Sequence, residues 1–181
     1  MRTPERTFNT LLSPVHSQNV ICHHEAGHAV MAIACGGRVK TVSVNSDPAT
    51  HYEISSSLPV QCHVLIKAAG SAAHFLLREG EYLTGDKYDQ QTAKPLLSEL
   101  GHSEAWDLYL LHAAKILEGR WACVTKISQM LARTGGATEA AMEPFIPTIA
   151  KLDVIGTARH INTLVTIARE DPRIQAIRSQ R

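Results

Sequence analysis

No two of the four cysteines form a CxxC pair: Cys22, Cys35, Cys62 and Cys123 stand far apart, which excludes a disulfide framework or a cysteine zinc site and reads as free thiols of a reducing compartment. Charge of neither sign is in excess, with 18 Lys plus Arg against 17 Asp plus Glu, so the chain lacks the electrostatic footprint that nucleic acid or an anionic membrane calls for. No uninterrupted apolar run approaches the ~18 residues of a membrane span, and Met1-Arg2-Thr3-Pro4-Glu5-Arg6 is not followed by the apolar stretch of a secretory signal. There is no GxxxxGKS or GxxxxGKT phosphate loop, and hence no ATP-driven module. Internal repeats, low-complexity tracts and long linkers are also missing. These absences predict one cytoplasmic domain over residues 1–181, with no nucleic-acid or membrane partner, and 181 residues are enough to bury a core without staples.

What is present is concentrated in one pentapeptide, His24-Glu25-Ala26-Gly27-His28. Residues four apart on a helix have Cβ atoms about 5–6 Å apart on one face, so the two imidazoles can reach one metal ion at ~2.0 Å. Glu25 then lies beside a metal-bound water as a general base. With ten histidines in 181 residues, chance supplies only about 0.03 such HExxH matches. The surrounding pattern, Val20, Ile21, Met31 and Cys35 on the same stripe, predicts a helix that turns the imidazoles inward, capped by Ser17 or Asn19 and stopped by Gly36-Gly37.

Downstream, Val39–Val44 alternates as a strand with Val39 or Thr41 on one side and Val42 or Val44 on the other, and His51–Ile54 returns as an edge strand. From Pro59 to Arg78 the spacing is helical, and the Ala69-Gly70-Ser71 centre permits close packing against the HExxH helix. A further helix opens near Asp86 or Asp89, and three more run over roughly 103–117, 120–134 and 148–169, with Thr138 capping a short turn before Pro144. The fold class is therefore mainly α, with a small hairpin or short sheet beside the HExxH helix. A catalytic zinc has three protein ligands and an open position. By spacing alone the third ligand is any of Asp89, Asp86, Glu79, Glu81 or His74. His23 points off the ligand face and reads as a surface residue or one that backs the ligands. His51, His63, His102, His112 and His160 are scattered singly and read as structural or solvated.

Several segments, in order, resemble the peptidase domain of the FtsH-type ATP-dependent membrane proteases. His24-Glu25-Ala26-Gly27-His28-Ala29-Val30 is similar to that family's zinc-binding helix, Val39–Val44 to the strand after it, and Ala69–Ala73 to its small-residue helix. Thr84-Gly85-Asp86-Lys87-Tyr88-Asp89-Gln90-Gln91-Thr92-Ala93 resembles the segment whose aspartate is the third zinc ligand. The resemblance covers roughly 17–146 and leaves 147–181 as an additional C-terminal helix and basic tail. It implies a zinc metallopeptidase with His24, His28 and Asp89 as ligands and Glu25 as catalytic base. It also implies a homo-oligomer and, since no ATPase is present, a separate ATPase partner. Two departures stand out. Thr50-His51-Tyr52-Glu53-Ile54-Ser55 replaces the family's glycine-rich edge strand, and His74-Phe75 replaces its acidic pair, making His74 a residue that backs the ligands, an alternative ligand or a core histidine.

The expected activity is hydrolysis of peptide bonds in unfolded segments or peptides. The alternatives are a peptidase-like module that keeps zinc as a structural pin for protein interaction, and a metal-free helical scaffold that self-associates.

Overall fold

The computed structural model describes residues 14–45, 48–77 and 87–171. These form seven helices, three short strands and one 3-10 helix, so the expected mainly helical fold is what is found. Helix α1, Pro14–Ala34, is helical from the first described residue onward. The helix therefore starts ahead of Ser17 and Asn19, the residues expected to cap it. Its end is as expected: Gly36 takes φ 89°, Gly36 N donates to Ile33 O at 2.9 Å and Gly37 N to Ala32 O at 2.8 Å. Such a paired closure needs a residue tolerant of positive φ after the last turn.

Strand β1, Arg38–Ser43, pairs antiparallel with β2, Ala49–Glu53, on one side and with β3, Gly136–Thr138, on the other, giving the order β2-β1-β3. The expected hairpin is thus part of a three-stranded sheet. A register shift between Val39 and Thr41 inserts one residue, so Val39 and Val42 are both buried rather than on opposite faces.

Helix α2, Val60–Leu77, is the centre of the molecule and packs on α1, α3 (Lys87–Glu99), α4 (Trp106–Glu118) and α7 (Val154–Glu170). It is also long and apolar enough to cross a membrane by length and composition, although 67% of the stretch is buried within the protein. Gln61, His63, Lys67, Ser71 and His74 interrupt its apolar run, so no unbroken apolar stretch of membrane length marks it in the sequence. Met31 and Ile33 of α1 and Leu65 and Ile66 of α2 are fully buried, each contributing about 1.5–3 kcal/mol relative to exposure. Those contributions offset the cost of the polar groups placed between the same two helices.

α5, Trp121–Thr134, covers the other side of α1 and ends at Gly135 with φ 73°. Thr138 precedes the short α6, Glu139–Met142, but makes no side-chain cap, and a 3-10 helix over Glu143–Thr148 ends on the residue expected to open the last helix. α7 starts later, where Asp153 Oδ1 accepts from Gly156 N at 3.0 Å.

Candidate metal centre

α1 and α2 approach so closely that side chains are excluded at the crossing. A Cβ on Gly27 would stand 2.5 Å from Ala69 O and 2.8 Å from the Ala73 Cβ. A Cβ on Gly70 would stand 2.5 Å from Nε2 of both His24 and His28. The bare backbone at Gly70 is therefore the floor under the two imidazoles.

His24 Nε2 and His28 Nε2 are 3.1 Å apart, and Asp89 Oδ2, from the first turn of α3, lies 3.1 Å from each. These are the only three residues among those described whose ligand atoms gather in this way, all within 4.8 Å. Ligand atoms ~2.0 Å from a tetrahedral zinc stand about 3.3 Å from one another, so the triangle has the size of one tetrahedral face. The chemistry of the donors agrees. His28 Nδ1–H donates to Ile66 O at 2.7 Å, which leaves a lone pair on Nε2 of the neutral ring. That lone pair faces a carboxylate oxygen and a second imidazole nitrogen, an arrangement that calls for positive charge among them, supplied by a metal ion or by a proton on an imidazole. The residues present therefore fit a zinc ion.

Burial alone would push the Asp89 carboxyl up, but hydrogen bonds and charge from His24 and His28 outweigh it and hold the group well below the usual carboxylate range. Asp89 is an anion throughout the neutral range. For His28, burial opposes the charged form, yet the Asp89 carboxylate, with Glu25 and the Ile66 carbonyl, raises its pKa above the ordinary value. Both directions report the same need for positive charge at this point.

Glu25 is buried on α1, and the Thr50 hydroxyl of β2 donates toward it. A cleft of about 760 Å³ opens over the group and is bordered by Ile21, Thr50, Tyr52, Lys67, His74 and Tyr88. Burial, then the Asp89 charge, pushes the Tyr52 hydroxyl up to about 12, so it keeps its proton. His74 lies edge-on to His24 with ring centroids 5.3 Å apart, beside the three-atom group rather than within it. Of the rivals for the third position, Asp86, Glu79 and Glu81 fall outside the described residues. His23 is not on the surface: it is buried against α5, its Nδ1 2.9 Å from Asn19 O and 2.8 Å from Ser128 Oγ, with its ring stacked on Trp121. Sequence reasoning missed Thr50, Tyr52 and Lys67 as cleft residues. A single long-range register, Val42 opposite Thr50, brings the first two there.

A mainly helical domain with two histidines of an HExxH helix and an aspartate converging beneath an open cleft is the arrangement of a metallopeptidase. Residues 8–169 match the Peptidase M50B-like family, and the chain belongs to it. A comparison with curated proteins found no match. The family is not the FtsH-type one that the motifs resemble. That resemblance holds at the level of a mainly helical metallopeptidase.

Proposed function

We propose that the protein is a zinc-dependent peptidase that hydrolyses peptide bonds in unfolded segments or peptides. The observation that supports this reading best is the mutual 3.1 Å spacing of His24 Nε2, His28 Nε2 and Asp89 Oδ2 beside the buried Glu25, at the base of a cleft. Zinc bound by these three residues would polarise a carbonyl and lower the pKa of water toward ~7. Glu25 takes the proton from the attacking water and returns it to the leaving amine. Asp89 supplies the negative charge that balances the ion, and the Ile66 carbonyl keeps the His28 ring in the tautomer that ligates. A cleft of about 760 Å³ admits a few residues of extended chain and not a folded domain, which favours unfolded segments or peptides as substrate. The four free cysteines support a reducing, cytoplasmic setting.

The test combines zinc analysis of protein purified without added metal with cleavage of labelled casein by wild type and Glu25→Gln. We expect one zinc per chain in both and a loss of at least about 100-fold in cleavage for Glu25→Gln. Absence of zinc, or equal cleavage by the two proteins, would contradict the proposal. Zinc with equal function in both would instead support the structural-pin reading, which the convergence of His24 and His28 of α1 with Asp89 of α3 favours.

A further inference from the structure

Glu25 is only 4% exposed, and at that depth an ionised carboxylate needs hydrogen bonds to replace water. β2 supplies one. The Thr50 hydroxyl stands 2.7 Å from Glu25 Oε2 and 3.1 Å from the Glu25 carbonyl oxygen. It carries a single proton, and the shorter contact to the charged oxygen takes it, at the length of a charge-assisted O–H···O bond. The placement is stiff at both levels. Thr50 lies opposite Val42 in the β1–β2 ladder, so main-chain pairing sets its distance from α1, and a β-branched side chain has few rotamers in a strand.

From this geometry we infer that Thr50 is the positioning residue of the base: by donating to Oε2 it holds Glu25 in one orientation and leaves Oε1 to take and return the proton. The inference rests on the peptidase reading above. Thr50 acts through Glu25 and touches no reacting atom. It also borders the cleft beside Ala49, His51 and Tyr52, so the strand that lines the path of the substrate is the strand that orients the base.

Thr50→Val removes the donor at nearly constant shape, Thr50→Ala removes it in a smaller side chain, and Thr50→Ser keeps it. On labelled casein both donor-less variants should lower kcat about tenfold with KM within about twofold of wild type, while Thr50→Ser stays within about threefold of wild-type kcat. Zinc stoichiometry should be unchanged in all three. A second readout needs no turnover: thermal unfolding of the zinc-loaded wild type, Thr50→Val, Glu25→Met and the double variant. Because either substitution breaks the same bond, the fall in Tm of the double variant should be smaller than the sum of the two single falls. An unchanged kcat, a rise in KM alone, failure of Thr50→Ser to rescue, or additive falls in Tm would overturn the inference. If wild type does not cut casein, the peptidase reading fails, and the Tm cycle then decides by itself whether Thr50 holds Glu25.

Discussion

Among the described residues two clefts of similar size can be compared, and one of them gathers its polar groups while the other does not. The cleft between α4 and α7 is the larger, about 910 Å³ against about 760 Å³, and it too has histidines and carboxylates on its wall: His102, Glu104, Asp107 and His112. There, His102 Nδ1 is 3.0 Å from the Tyr109 hydroxyl, and the His112 ring lies 5.4 Å from that of His160. Each of these two histidines is settled against a neighbour of its own. In the smaller cleft three ligand atoms from two helices point at one place, because Gly70 lets a third helix come within a side chain's thickness of them. The pKa directions divide in the same way. Burial, with the neighbouring Arg169 and His160 respectively, lowers His102 and His112, whereas the Asp89 carboxylate raises His28 in spite of its burial. Backbone approach, and not volume or the number of titratable groups, makes the site.

The largest expected effect comes from taking the anion out of one cleft and an imidazole out of the other. Asp89→Asn keeps the shape and loses the charge, so zinc affinity measured by chelator competition should fall more than about 100-fold, beyond the 10–100-fold typical of residues that only back the ligands. His112→Gln should leave affinity and casein cleavage within about twofold of wild type. Equal effects would erase the distinction between the clefts. A smaller effect separates packing from site-building among the glycines. Gly70→Ala and Gly27→Ala should each destabilise by about 1–3 kcal/mol in denaturant unfolding, the range for overpacking. Only Gly70→Ala, whose Cβ would meet both Nε2 atoms at 2.5 Å, should also weaken zinc binding, by about tenfold or more. Loss of zinc in Gly27→Ala to the same degree would show that helix separation alone disperses the ligands.

Legibility followed sequence distance. His24, Glu25 and His28 could be read because the periodicity of one helix places them together, and the small-residue centre at Gly70 could be read as close packing because it too is local. Asp89 reaches the two imidazoles from the start of another helix, and spacing leaves it level with four rivals until a resemblance to another family's motif singles it out. The resemblance led to a metallopeptidase but not to the right family of them, since residues 8–169 match the Peptidase M50B-like family. In the sequence Thr50 stands out only as a departure from an edge-strand pattern, since nothing local says that Val42 will pair with it. The third strand escaped for the same reason: Gly136–Thr138 is too short to show alternation. The bulge near Val39 and Thr41 reversed the inside and outside of β1 without any glycine to mark it.

The smallest predicted effect is a change of slope in the larger cleft. Burial, then the positive charge of Arg169, lowers the pKa of His102 below its ordinary value, so in the folded protein the ring stays neutral while in the unfolded chain it gains a proton near pH 6.5. Between those two values the unfolded state binds more protons, and stability rises with pH through the window. The contribution is therefore complete above about pH 6.5 and is lost as pH falls through the folded value. His102→Gln, which keeps a polar partner for the Tyr109 hydroxyl, should flatten this part of the dependence: the urea midpoint should drop less between pH 7.5 and pH 5.5 in the variant than in wild type, with casein cleavage at pH 7.5 unaltered. An unchanged slope would mean that His102 titrates alike in both states and that its burial does no electrostatic work. A change in cleavage would mean that the two clefts, connected chiefly through the packing of α2 on α4, are not the independent regions their geometry describes.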